Sequence, residues 1–323
     1  MWMHLAAVLA GFLFLVWGAE RFVRGAAGTA RALGVSPLLI GLTIVGFGTS
    51  APEILVSIMA SLNDNPGLAV GNAIGSNITN IALILGMTAL ITPLSVHSGT
   101  VRRELPILLG VTLVAWVLLG DGQLGFGDGL ALVTGLALML GWAVHNGMNS
   151  RDKDPIVAEY EAEIPADMPL RLALGWLGVG IVVLVGSSRL LVWGAVGVAE
   201  AYGVSDLVIG LTIVALGTSL PELAASIAAA LKNEHDIAIG NVIGSNLFNL
   251  LAVLGIPGLL RPGPLDPDAL SRDVPLMVAL TLALLLMARG VAGRGGRINR
   301  IEGALLAGCY VGYQSLLYFS AVR

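Results

Sequence analysis

The segment Gly34 to Glu53, GVSPLLIGLTIVGFGTSAPE, returns 169 positions later as Gly203 to Glu222, GVSDLVIGLTIVALGTSLPE, with 15 of 20 residues identical. At the same offset Gly71 to Asn80, GNAIGSNITN, returns as Gly240 to Asn249, GNVIGSNLFN, with 7 of 10 identical. Two separate motifs held at one fixed offset mark a duplicated unit. The chain is therefore expected to fold as two copies of one topology.

The medium of that fold follows from composition. Of the 323 residues 56% are hydrophobic and 12% are charged, about half the roughly 25% of a soluble domain. Together with a mean hydropathy of +0.88, this excludes a water-soluble globule. Apolar segments lie at about 5–30, 37–62, 67–91, 105–120, 129–146, 172–200, 206–231, 236–260, 274–288 and 302–320. They are long enough for helices that cross a bilayer, and they lack the alternation of transmembrane barrels. The first segment has neither a basic stretch before it nor a small-residue cleavage pattern after it, so it reads as a helix and not as a signal peptide. The one strongly polar interval, Asn149 to Pro169, separates the fifth segment from the sixth.

The expectation is an all-α membrane protein of ten transmembrane helices, with residues 1–148 as one five-helix repeat, 149–169 as a cytoplasmic linker and 170–323 as the second repeat. Five helices per unit is an odd number, so the second unit enters the membrane the opposite way up. The halves are then inverted repeats, the architecture of carriers whose substrates bind near the midplane. Lys and Arg set the orientation: with the N-terminus outside, 13 of the 17 fall at inner ends and loops and 4 outside. Both termini are thus expected outside a cell (inner) membrane. The basic residues form no continuous face, which leaves nucleic acid without a binding surface. Cys309 is the only cysteine, so an intrachain disulfide is excluded.

Glu53 and Glu222 stand at equivalent positions, mid-helix in apolar surroundings. An acidic residue at the bilayer centre costs on the order of 2.5 to 3.5 kcal/mol, so something must offset the two of them. Neither motif contains Lys or Arg. Pro52 and Pro221 remove a backbone donor and are expected to free a carbonyl one turn earlier, around Gly48 and Gly217. Thr49 and Glu53 share a helix face, as do Thr218 and Glu222, Ser76 and Asn80, and Ser245 and Asn249. The converging groups are carboxylate, amide, hydroxyl and carbonyl oxygens with no His or Cys, a set that suits Ca²⁺ or Na⁺ and not Zn²⁺ or Cu. Gly71, Gly75, Gly240 and Gly244 have the spacing of close helix packing, and Asn77 and Asn246 lie off the Ser/Asn face. No HExxH pattern or Ser/His pairing suggests an enzyme.

At these residues the chain resembles the cation/calcium antiporter superfamily, most of all its prokaryotic sodium/calcium exchangers: GTSAPE with GNAIGSNITN and GTSLPE with GNVIGSNLFN are similar to its two alpha-repeats. The resemblance covers the whole chain. It implies secondary antiport of Na⁺ against Ca²⁺ by alternating access, in which helices one and six slide across a core of the other eight. The transported ions are its cargo, and neither a cofactor nor a protein partner is implied. Carried over by position, it implies Glu53 and Glu222 as principal carboxylates and Asn80 and Asn249 as amides. Thr49, Ser50, Ser76, Thr218, Ser219 and Ser245 would be hydroxyl or carbonyl donors, with backbone oxygens of Gly46 and Ala215. Some prokaryotic members and the potassium-dependent branch carry Asp where this chain has Asn249, and the Glu and His of the proton-coupled branch are missing. Potassium-dependent exchange and cation/H⁺ antiport are the alternatives.

Overall fold

The computed structural model describes residues 2–33, 46–96, 99–149, 168–289 and 296–321. Most of the expected linker and the start of the second apolar segment lie outside the described residues. Among those described, nearly all regular structure is helical: α1 (Trp2–Ala32), α2 (Gly46–Thr49), α3 (Ala51–Leu62), α4 (Pro66–Ile91), α5 (Gly99–Leu118), α6 (Phe126–Asn149), α7 (Leu170–Tyr202), α8 (Asp206–Thr218), α9 (Leu220–Leu231), α10 (His235–Leu260), α11 (Ala269–Arg289) and α12 (Arg300–Ala321). Helices α1, α4, α7, α10 and α11, with the stretch Arg103–Asp121, are long and apolar enough to cross a membrane, and the pair α8–α9, bent by 43°, would make a seventh span. The protein is an α-helical membrane protein. Helix α3 and the apolar part of α6, Phe126–Trp142, are shorter. Helix α12 has 22 residues but carries Glu302, Tyr310, Tyr313 and Gln314.

Helices α1 and α7 lie side by side and antiparallel. A methyl group added at Gly11 would strike Leu191 at 2.9 Å, one at Gly18 would strike Val183 at 3.0 Å, and one at Gly28 would approach Ala173 to 3.2 Å. The partner number falls as the glycine number rises, which fixes the direction. Small residues permit this close backbone approach, the commonest way for helices to associate where no hydrophobic drive separates lipid from protein. Arg21 reinforces one end, its guanidinium 5.2 Å from the Trp17 ring and 5.0 Å from that of Trp176. At the other end the His4 ring meets Trp193 edge-on at 4.7 Å.

Two apolar clusters result. One joins α1 and α7 through Leu15, Leu184, Leu191 and Val198 to Val56 and Met59 of α3 and Leu68 of α4. The larger one is built from α4, α5, α6, α10, α11 and α12, with Ile74, Ile81, Leu108, Leu250, Met277 and Leu317 at its centre. Short antiparallel ladders clip this second body at opposite ends of α5: β1 (Leu94–Ser95) with β4 (Arg297–Ile298), and β2 (Gln123–Leu124) with β3 (Gly263–Pro264).

Candidate cation site

The TSxPE motifs break a helix at the same place in both halves. Ser50 (φ −88°, ψ 1°) separates α2 from α3, and Ser219 (φ −86°, ψ 5°) separates α8 from α9. Pro52 and Pro221 then occupy the first turn of the new helix, where a missing N–H is tolerated. This corrects one expectation. The glutamates are not mid-helix; each sits in the first turn of α3 or α9, where the positive end of the helix dipole favours an anion. The interruption falls at the serines, two residues after Gly48 and Gly217, whose bare faces admit Val23 and Phe12 of α1. In the second half Ser219 N–H donates back to the Ala215 carbonyl at 3.2 Å while its own carbonyl accepts from Leu223 N–H at 3.1 Å, so that break is a bend and not a gap.

Both carboxylates are buried, Glu53 at 1% and Glu222 at 0% exposure, and close enough for their charges to interact. Ser245 Oγ donates to Glu222 Oε1 at 3.3 Å. Thr218 lies within reach of the Glu53 carboxylate and donates to Asn72 Oδ1 at 3.2 Å, while Asn72 Nδ2 donates to the Glu53 carbonyl at 3.3 Å. Asn80 Nδ2 donates to Asn246 Oδ1 at 3.0 Å. Asn80 and Asn249 each fall where α4 and α10 pass into a π-helical turn, Thr79–Leu85 and Asn249–Val253, a distortion frequent at functional sites.

The decisive feature is what these groups do not touch. Ser50 Oγ, Glu53 Oε2, Ser76 Oγ, Asn80 Oδ1, Ser219 Oγ, Glu222 Oε2 and both amide atoms of Asn249 are buried with no hydrogen-bond partner in the protein. Buried polar atoms are normally paired, and leaving one unpaired costs about 1–3 kcal/mol. A concentration of orphaned oxygens in two short repeated motifs is what a desolvated hard cation would satisfy. Of the remaining expected residues, Thr49 is half-buried on the turn before the break, and Gly46 begins α2. The Ala215 carbonyl already accepts the Ser219 N–H at 3.2 Å and the Thr218 hydroxyl at 3.4 Å. Among the described residues no cluster of three or more His, Cys, Asp or Glu could hold a metal, so the site rests on two carboxylates and neutral oxygens.

Sequence reasoning passed over Asn72 and Asn241, the asparagines of the two GN pairs, whose side-chain amides donate to the carbonyls of Glu53 and Glu222 at 3.3 and 3.5 Å. Their signal was present: each is a polar residue repeated inside an apolar helix. A cavity of about 700 Å³ opens separately between α1, α3 and α7, lined by His4, Met59, Asn63, Arg189, Trp193 and Glu200.

Broken helices that carry paired, unneutralised carboxylates in the interior of a helical membrane protein define a cation carrier. Residues 3–145 and 172–319 match the sodium/calcium exchanger protein family. The chain belongs to that family, and its activity is exchange of cations by antiport. It is 50% identical over 313 residues to the putative antiporter CaxA of Alkalimonas amylolytica, covering 97% of this chain and 98% of that one. It is 32% identical to the sodium/calcium exchanger MaX1 of Methanosarcina acetivorans, over 97% of each chain. A solved structure of the sodium-calcium exchanger NCX_Mj, soaked with Na⁺ and Sr²⁺, superposes with a TM-score of 0.66 at 34% identity, covering 97% of this chain and 98% of that one.

Proposed function

We propose that this protein exchanges Na⁺ for Ca²⁺ by alternating access, with ten transmembrane helices in two inverted repeats (residues 1–148 and 170–323), a cytoplasmic linker between them and both termini outside the cell membrane. The antiparallel packing of α1 against α7, which are repeat mates, supports the inverted arrangement. Asp64 (φ 63°) and Asn233 (φ 65°), which take the same left-handed conformation 169 positions apart in the turns after α3 and α9, support the repeat itself.

In this reading Glu53 and Glu222 bind the ion by charge. Asn80, Asn249, Thr49, Ser50, Ser76, Thr218, Ser219 and Ser245, with carbonyls of Gly46 and Ala215, complete its shell. The observation that carries the assignment is the set of orphaned buried oxygens on both carboxylates and their neighbours. Two carboxylates match one Ca²⁺ in charge, and Na⁺ ions competing for the same oxygens displace it. An empty site with both carboxylates ionised would leave two uncompensated charges in a medium of low dielectric, a state costly to carry through the occluded geometry, so each facing change needs the carboxylates occupied by cations or protons. The carrier therefore changes facing when loaded, and that condition couples the two ion flows. Helices α1 and α7, packed on each other through glycines, form the unit that moves against the rest of the molecule.

The test is Ca²⁺ flux in proteoliposomes with Na⁺, K⁺ and pH gradients imposed one at a time. Flux driven by a Na⁺ gradient alone is expected. Flux driven only by a pH gradient would make the protein a cation/H⁺ antiporter, and an absolute need for K⁺ would place it with the potassium-dependent exchangers.

A further inference from the structure

The cavity of about 700 Å³ between α1, α3 and α7 is separate from the cation site, since none of the candidate cation ligands lines it. One wall is a single face of α7, where Arg189, Val192, Trp193, Val196 and Glu200 recur at helical spacing. His4 of α1, edge-on to Trp193 at 4.7 Å, closes one side. The end of α3 and the turn after it close the other, with Met59, Asn63 and Asn65.

Arg189 is out of place there. At 1.5 Å per residue it stands about 28 Å from the start of α7 and about 20 Å from its end, in a helix that crosses a hydrocarbon layer about 30 Å thick. Helix α1 gives the same depth: Gly11 meets Leu191, and the next residue, Phe12, meets Gly217 just before the break at Ser219. The arginine thus rises from within the hydrocarbon, close to the level of the broken helices. It is exposed, and it makes no hydrogen bond or ion pair with any described residue. A charge at such depth costs on the order of 2.5 to 3.5 kcal/mol, and where one persists it marks a site that offsets it. That site is not a path for Ca²⁺, which a guanidinium would repel.

The rest of the face says which anion fits. Glu200 lies about 16 Å nearer the end of α7, and its side chain leans back toward Arg189. Trp193, a residue of membrane interfaces, stands between them. Asn63 and Asn65 spend their amide N–H groups on the carbonyls of Met59 and Asn63 at 2.7 and 2.8 Å, which leaves their side-chain oxygens as acceptors at the rim. Below Arg189 the same face continues as Gly186, Val182 and Val179, all exposed and apolar. The order from the bilayer outward is therefore an apolar track, a cation, and then acceptors with an anion. An ethanolamine phospholipid presents the complement in the same order: acyl chains, phosphate, ammonium. A choline headgroup has no N–H to give, a glycerol headgroup has no cation, and a free phosphate has no use for the track.

We propose that this cavity binds one ethanolamine phospholipid of the adjoining leaflet. Its phosphate sits on Arg189, its ammonium donates to Glu200 and the asparagine oxygens, and its acyl chains leave along Gly186, Val182 and Val179. The site is independent of the exchange reading above, and its test involves no transport.

The protein, freed of lipid in detergent, is titrated with ethanolamine, choline and glycerol phospholipids of matched acyl chains, and bound lipid is counted by native mass spectrometry. One ethanolamine lipid per chain should be retained at concentrations where the other two are not. Arg189→Gln should weaken its binding about tenfold, the size of one hydrogen bond to a charged group. Arg189→Lys should recover most of that loss. Glu200→Gln should weaken it about threefold, the size of an exposed ion pair, and leave the choline and glycerol lipids unchanged. Both residues are exposed, so the variants should melt as wild type does without lipid; should either fail to fold, the ranking of headgroups on the wild type decides. Equal retention of the three lipids, or full retention of the ethanolamine lipid by a folded Arg189→Gln, overturns the proposal. Displacement of the lipid by inorganic phosphate at equal concentration would make this a site for a soluble anion and overturns it too.

Discussion

Glu222→Gln isolates the contribution of charge from that of shape. Glutamine keeps the volume of the side chain and an amide oxygen able to accept from Ser245, which now lies 3.3 Å from Glu222 Oε1. What it removes is one of two negative charges, at a residue with 0% exposure. Removing one member of a buried ionic set costs about 3–5 kcal/mol, which converts to a Ca²⁺ affinity weaker by roughly 10²- to 10⁴-fold. Stability without ions should move the other way. Glu222 Oε2 has no partner, so neutralising it relieves a desolvated charge. In ion-free buffer the variant's melting temperature should equal or exceed that of wild type, while the rise in melting temperature on adding Ca²⁺, a linkage effect, should vanish. Ca²⁺ binding by calorimetry and the two melting curves read these terms independently. Wild-type Ca²⁺ affinity in the variant, or a large fall in ion-free stability with the Ca²⁺ shift intact, would refute the assignment and make Glu222 a structural residue.

Protons should compete with Ca²⁺, because both carboxylates must be ionised to bind it: apparent Ca²⁺ affinity falls as pH is lowered, and Ca²⁺ binding releases protons into weakly buffered solution. Transport should need no K⁺, since Ca²⁺ already neutralises the two carboxylates; Asn249→Asp adds a third charge beside Ser245 and should raise apparent Na⁺ affinity in a flux titration. Arg21→Met removes the guanidinium held between Trp17 and Trp176 and should cost about 1–2 kcal/mol, seen as a melting temperature lower by several degrees.

The helical class, the two breaks and the oxygen-only chemistry were legible because they depend on residue type and spacing: apolar length, Pro two positions after Ser, carboxylates with no basic residue in the motif. The place of the glutamates within their helices was misread because hydropathy sees one continuous segment. A backbone turned at Ser50 or Ser219 changes little in composition yet moves the residue three positions on from mid-helix to a helix start. The π-helical turns at Asn80 and Asn249 were invisible for a related reason: a change in hydrogen-bond register leaves the sequence pattern untouched. Asn246 shows the limit of facial arguments. It lies off the Ser245/Asn249 face, as its spacing says, but α4 crosses there and places Asn80 within 3.0 Å of it.

Asn72, missed in the same way, shows how the site can be rigid where it must select and loose where it must release. Its amide fixes the backbone of Glu53 while its oxygen takes the Thr218 hydroxyl, so one residue ties the first carboxylate to the second half of the chain. Asn249 has no such tie: neither atom of its buried amide has a hydrogen-bond partner. A shell with one anchored amide, Asn80, and one unanchored, Asn249, can tighten on a divalent ion and open with little loss of hydrogen bonding. Fully satisfied polar networks lack that freedom, since opening them leaves donors and acceptors without partners. In the proposed cycle the cost of the orphaned oxygens would be relieved by the ion and return when the ion leaves, offset between those moments by the apolar cores on either side of the motifs.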